Sequence, residues 1–417
     1  MGALESVDRM SDIYARQLEA LRARSLDRHL REISSPSGTI ADLEGKRLIN
    51  FSSNDYLGLA NDPQLREAAT KAIAEFGIGA GASRLISGTQ SPHVRLETAL
   101  AKWKETEAAL CFSSGYAAAL GTIPALVDKN DVIILDKLCH ASLIDGAKLS
   151  RAALRVFPHN HLGKLNSHLE WARQKNYAAR ILIITESVFS MDGDRAPLPE
   201  IVKLKMDFGA QLFLDEAHAV GVIGRNGRGL AFEENLCHEV DVQMGTLSKA
   251  LGVSGGYICG SRNMTEWLIN RARSFIFSTA PPPALAAAAK AAVDFLSSIE
   301  GEKRRQRLWR NIDILAEELS IQPASAIVPW IIGDEKETLA AAQNLQDNGF
   351  LVPAIRYPTV AKGAARLRIT LSATHEATQL RSLAGAIKRL PKRDRTKPIR
   401  QLRSARGRPV AEQRTRH

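Results

Sequence analysis

From about residue 63 to residue 260 the chain repeats one pattern, a short apolar run bounded by turn residues followed by a longer stretch whose apolar positions recur every three to four residues. The short runs predict strands at Ala108–Phe112, Val132–Leu135, Leu154–Phe157, Ile181–Thr185, Gln211–Leu214 and Gly256–Cys259, and the longer stretches predict helices near 92–104, 116–127, 141–150, 163–175 and 198–208. Strands alternating with helices are the signature of βαβ units, and continuous apolar runs suit strands buried on both faces of a mainly parallel sheet. Upstream, Ile13, Leu18, Leu21, Leu26 and Leu30 predict an amphipathic docking helix over 10–32; Asp42–Phe51 reads as a hairpin through Gly45, and Phe51–Leu59 as a structured loop with two aromatic anchors. Downstream, Pro281–Pro283 opens an Ala-rich helix to about Ser298, the charged stretch Glu300–Arg310 marks a boundary, and a second region of strands and helices runs to Leu390. The expected division is 1–55, an N-terminal helix and hairpin; 56–299, a large sheet domain with helices on both faces; 300–390, a smaller α+β domain; and 391–417, a tail. No internal repeat is visible.

Charge changes the picture only at the end of the chain. Residues 388–417 hold twelve Lys and Arg against Asp394 and Glu412, a net +10 out of +11, so that residues 1–387 carry +1. With three prolines and few apolar residues, 391–417 reads as a disordered, solvated extension, and without interleaved aromatics it gives no reason to expect specific nucleic-acid binding. The first twenty residues contain no apolar signal core, and no apolar run reaches the roughly 18 residues of a spanning helix, so a cytoplasmic, non-membrane protein is expected. Cys111, Cys139, Cys237 and Cys259 stand singly without paired spacing; no metal site is expected.

The candidate chemistry lies where predicted strands end, since open parallel sheets bind ligands outside the carboxyl ends of their strands. Ala108–Phe112 runs into Ser113, Ser114, Gly115 and Tyr116 at a helix start, which serves a phosphate or is a plain serine cap. Val132–Leu135 leads to His140, Ile181–Thr185 to a polar loop holding Glu186 and Ser190, and Gln211–Leu214 to Asp215 with His218 three residues on. A carboxylate at the end of a buried strand needs a positive partner, and a pyridinium nitrogen would serve. The stretch Gly245–Gly256 carries Thr246 and Lys249 among glycines and serines, an arrangement that alone reads equally as a surface loop. Together these groups ask for a ligand with a phosphate, an aromatic ring, a basic ring nitrogen and an aldehyde: pyridoxal 5′-phosphate (PLP), with Lys249 as its Schiff-base lysine.

Over about residues 10–390 the chain also resembles the α-oxoamine synthases, PLP-dependent transferases of fold type I, in FSSNDYLGLA (51–60), GAGASRLISG (79–88), FSSGYAAALG (112–121), CHASLIDGAKLS (139–150), TESVFSMDGDRAPL (185–198), LDEAHAVGVIGRNGRG (214–229), GTLSKALGVSGG (245–256), FIFSTAPPP (275–283) and ARLRITLSATH (365–375). The resemblance implies catalytic roles for Lys249, His140, Asp215 and His218. Ser114, Gly115, Tyr116 and Thr246 would hold the phosphate, with Ser278 and Thr279 reaching over from the second subunit of a homodimer with shared active sites. Asp215 would pair with the ring nitrogen, His218 and Ser190 with the phenolic oxygen, and His140 would stack on the ring. Arg368 would clamp the amino-acid carboxylate, with Asn54 and Arg28 lining the substrate site, Arg28 toward the acyl donor.

Such enzymes condense an amino acid with an acyl thioester, on coenzyme A or an acyl carrier protein, with loss of carbon dioxide. The segments 51–59, 325–329 and 353–368 are most similar to the biotin-pathway branch, which joins L-alanine to a pimeloyl thioester, whereas Ser87–Gln90 is closer to the branch that uses glycine. A non-catalytic binding protein is the alternative from another class, and retention of all five of Lys249, Asp215, His140, His218 and Arg368 argues against it.

Overall fold

The computed structural model describes residues 10–24 and 26–390; the basic stretch 391–417, expected as a solvated tail, lies outside the described residues. Strands β1 (Ile40–Leu43) and β2 (Lys46–Asn50) form the expected hairpin. Its turn places Glu44 and Gly45 at φ 51° and 77°, the left-handed pair whose twist matches that of the flanking strands.

Seven strands make the main sheet: β3 (Ala108–Phe112), β4 (Val132–Asp136), β5 (Ala153–Phe157), β6 (Ile181–Glu186), β7 (Gln211–Asp215), β8 (Val242–Thr246) and β9 (Gly256–Gly260), in the order β3-β9-β8-β7-β6-β4-β5. Only β9 runs antiparallel to its neighbours. Alternate residues feed two cores. Val132, Ile134, Ile181, Ile183, Leu212 and Leu214 pack on the side of helices Ser91–Trp103, Leu162–Lys175, Leu198–Asp207 and Pro283–Leu296. Ile133, Leu135, Leu182, Ile184 and Phe213 pack on the side of helices Gly115–Leu126, Ala141–Ser150 and Arg262–Arg271. A strand buried on both faces has no polar side to alternate with, hence the continuous apolar runs.

The C-terminal unit is built on β10 (Ile327–Gly333), β11 (Phe350–Leu351), β12 (Ala354–Ile355) and β13 (Ala365–Thr370). An antiparallel sheet β10-β13-β12 lies with helices Ile299–Leu319, Glu335–Asp347 and Ala377–Arg389, while β11 joins the N-terminal hairpin as the third strand of β1-β2-β11. The N-terminal hairpin and the C-terminal unit therefore share one small sheet.

One expectation needs correction. The N-terminal helix spans Met10–Ala23 rather than 10–32, and none of its residues is buried. Past it the backbone is drawn along the hairpin instead, Ser34 donating to the Asp42 carbonyl and Ile33 bridging Leu43. The charged stretch 300–310, read as a boundary, forms the first half of the 21-residue helix Ile299–Leu319, capped by the Ser298 hydroxyl at 3.1 Å from the Gly301 amide. Strand β8 was not predicted, because VQMGT carries a glutamine and a glycine; Gln243 is nevertheless 1% exposed and donates to the Cys237 carbonyl.

Candidate active site

Register brings the strand ends together. Phe112 and Thr246 both pair with Gly256, so the turn after β3 and the loop after β8 meet across β9. Any Cβ on Gly256 would lie 2.6 Å from the Gly115 Cα, which is why the helix start can approach so closely. That helix, Gly115–Leu126, is capped by Ser114, whose hydroxyl accepts from the Ala117 amide at 3.0 Å. The cap leaves the first amides open: helix geometry supplies no acceptor to the Gly115 and Tyr116 amides, at the positive end of the helix dipole. Beside them stands the Thr246 hydroxyl, 3.0 Å from the Ser248 hydroxyl. Tyr116, 43% exposed, binds the Asp145 carboxylate, and its ring lies edge-on to His140 with 6.2 Å between centroids.

The Lys249 loop is closed by Gly252, at φ 70°, where a Cβ would lie 2.4 Å from the Ala60 amide nitrogen. Lys249 Nζ lies 2.7 Å from His218 Nε2, and His218 Nδ1 lies 2.6 Å from the Tyr56 hydroxyl. Burial brings the amine down to about 8, with Arg368 adding to the shift and Asp215 and Glu186 opposing it. Burial likewise holds His218 neutral, well below its ordinary value, helped by Lys249 and Arg368. His140 caps helix Ala141–Ser150, and its imidazole is lowered by burial and by Lys249 against the pull of Asp215.

Two buried carboxyls face this amine. Asp215 accepts from the Ala217 amide at 2.8 Å and is raised by burial. Glu186, its register partner, accepts from the His140 amide at 2.5 Å and is raised to about 8 by burial and then by Asp215. Arg368 on β13 donates to the Ser190 carbonyl at 2.6 Å and to Asn54 Oδ1 at 3.1 Å. Asn54 Oδ1 also lies 3.2 Å from the Tyr56 hydroxyl, so Arg368, Asn54, Tyr56, His218 and Lys249 form one network. Three expected residues are not joined to it within the chain. The Ser278 hydroxyl donates to the Thr279 carbonyl, Thr279 bridges Ser83, and Arg28 is exposed.

The groups present fit PLP. Free helix-start amides and a hydroxyl suit a phosphate dianion, a buried carboxyl without a hydrogen-bonded cation among the described residues suits a ring N–H, and an amine of low pKa suits an aldehyde. Sequence reasoning passed over Tyr56, read as a loop anchor, and Glu186, read as part of a polar loop. The argument that singled out Asp215 applies equally to Glu186, an acid at the end of a buried strand.

The family model described as aminotransferase class I and II matches residues 46–387. The chain is 46% identical over 389 residues to the 8-amino-7-oxononanoate synthase of Geobacter sulfurreducens, covering 92% of this chain and 99% of that one. It is 44% identical to the enzyme of the same name from Thermoanaerobacter pseudethanolicus, covering 91% and 97%. Among solved structures, the serine palmitoyltransferase of S. paucimobilis with a bound PLP–myriocin aldimine superposes with TM-score 0.86 at 30% identity, covering 92% of this chain and 98% of that one. The 8-amino-7-oxononanoate synthase of Francisella tularensis superposes with TM-score 0.69 at 29% identity, covering 82% and 98%.

Proposed function

The chain belongs to the class I and II aminotransferase family, and from that premise we propose that it is a PLP-dependent acyltransferase that condenses L-alanine with a pimeloyl thioester, releasing carbon dioxide, free thiol and 8-amino-7-oxononanoate for biotin synthesis. The observation that carries the reading is the convergence of the half-buried Lys249 amine, brought down to about 8, with the Asp215 carboxyl and the Arg368 network. PLP, when bound, supplies the electron sink that makes a carbanion at the amino acid's Cα accessible. The Gly115 and Tyr116 amides and the Thr246 hydroxyl would hold its phosphate, Asp215 its ring nitrogen, His140 its ring face and Lys249 its aldehyde.

The chain's own groups do the rest. Arg368 presents a planar fork to the amino acid's carboxylate, a geometry a lysine cannot copy, and fixes which Cα bond stands in line for cleavage. Lys249, at about 8, is near enough to neutrality to take the Cα proton as a free amine and return it as an ammonium. Neutral His218 and His140 crowd no further positive charge against it. Ser278 and Thr279, beside the exposed Phe277, suit a second subunit completing the phosphate site.

Two measurements test the reading. Borohydride reduction of the loaded enzyme followed by peptide mapping should place the pyridoxyl group on Lys249. Turnover should be fastest with alanine and pimeloyl-CoA or its carrier-protein thioester. A label on another lysine, or glycine with acetyl-CoA outpacing alanine with the pimeloyl donor, overturns it.

A further inference from the structure

The contact between Lys249 and His218 poses a problem that only a third group can solve. A lysine ammonium has three donors and no acceptor, so while Lys249 is charged His218 Nε2 must be bare and the ring proton must sit on Nδ1. Once the amine is neutral, Nε2 can carry the proton and donate to it, leaving Nδ1 bare. His218 is 6% exposed, and an unpartnered ring nitrogen there would cost the desolvation of that group. Whatever faces Nδ1 must therefore accept in one state and donate in the other.

Tyr56 faces it. The side chain is fully buried, its hydroxyl 2.6 Å from His218 Nδ1 and 3.2 Å from Asn54 Oδ1. A hydroxyl has one proton and can also accept, and burial raises the phenol to about 12, so that proton stays in place. The Asn54 atom is identified by its other neighbour: Arg368 has donors only, so the atom 3.1 Å from its Nη1 is the amide oxygen. With Nδ1 protonated, Tyr56 accepts from it and gives its own proton to Asn54. With Nδ1 bare, the hydroxyl turns and donates to His218, while Asn54 keeps its bond from Arg368.

We propose that Tyr56 is a positioning residue for Lys249, its hydroxyl turning between Asn54 and His218 so that His218 stays hydrogen-bonded in either tautomer and can face both the charged and the neutral amine. The same chain ends on Arg368, so the group that takes a carboxylate and the amine that takes a proton are four hydrogen bonds apart. The charged and titratable groups around the pair are Asp215, Glu186 and Arg368 beside Lys249, and Lys249, Arg368 and His140 beside His218. This proposal rests on the function above only for its activity arm.

The test is a pH titration of the cofactor-free full chain labelled with 15N-histidine, read by long-range 1H–15N NMR, with the His218→Asn variant assigning the signal. In the wild type, His218 should carry its proton on Nδ1 below the amine's titration near 8 and on Nε2 above it. The Y56F variant keeps the ring and removes the hydroxyl; with no acceptor left for Nδ1–H, the tautomer change and the amine's titration should move together to lower pH, and kcat/KM for the amino acid should fall about tenfold with a displaced pH profile. Repeating the titration in E186Q keeps the nearby carboxyl from being mistaken for the amine. One unchanging tautomer in the wild type, or a Y56F enzyme matching wild type in tautomer and pH profile, overturns the proposal. Should Y56F not fold, the wild-type titration still decides. The expected titration in a chain that does not turn over alanine and a pimeloyl thioester would retain Tyr56's role and remove the proposed function.

Discussion

Glu186 and Asp215 stand opposite each other at the carboxyl ends of two neighbouring parallel strands, both buried. Two carboxyls so placed cannot both ionise cheaply, and Glu186 records that cost, raised first by burial and then by Asp215. Lys249 lowers each of them and both raise Lys249 in turn, so the amine and the acid pair support one another's charge against the burial that opposes it.

This pairing makes stability depend on pH. Between the ordinary carboxyl value of 4.5 and about 8, folded Glu186 keeps a proton that the unfolded chain has released. Folding is therefore favoured less as pH rises through that window, by up to about 1.4 kcal/mol per pH unit. E186Q retains an oxygen for the His140 amide but has no proton to lose. Denaturant unfolding of the cofactor-free protein at intervals across the window should show a flatter decline in E186Q than in wild type; parallel curves would mean that Glu186 ionises normally.

Arg368 is 5% exposed and already committed to the Ser190 carbonyl and Asn54 before any substrate arrives. R368K keeps the charge and loses the fork. The KM for the amino acid should rise on the order of 10- to 100-fold with a smaller fall in kcat, since the lost interaction is made in ground and transition states alike. Steady-state kinetics with the acyl donor saturating measure this, and an unchanged KM would place the carboxylate elsewhere.

Beneath the site, Lys104 and Glu216 form an ion pair of 2.6 Å with side chains 1% and 0% exposed. Lys104 also donates to the Arg228 carbonyl, and Glu216 accepts from the Ala231 amide at 3.0 Å, so the pair ties the segment after Asp215 to the end of helix Ser91–Trp103. Removing one partner strands the other. K104M should cost about 3–5 kcal/mol in urea unfolding, and the double variant K104M/E216L should recover part of that loss. Equal stability of single and double variants would show that the carboxylate is not the source of the cost.

The sequence alone determined the architecture of the large domain, because strands buried on both faces must be apolar throughout and helices that cover them must be apolar on one side; Ala108–Phe112 and helix 141–150 were placed to the residue. It also singled out candidate anchors for the cofactor, since a helix-start glycine, a strand-end acid and a loop lysine follow one another in chain order at the ends of those strands. It did not yield β8, whose buried Gln243 is held through its amide nitrogen by the Cys237 carbonyl, nor the true extent of the first helix. Only the tertiary structure joined Tyr56 to His218, 162 positions apart, and Arg368 to Asn54, 314 positions apart. Hydrogen bonds of that separation leave no periodicity in the chain, because they depend on how the terminal segments fold back across the strand ends and not on any spacing along the backbone.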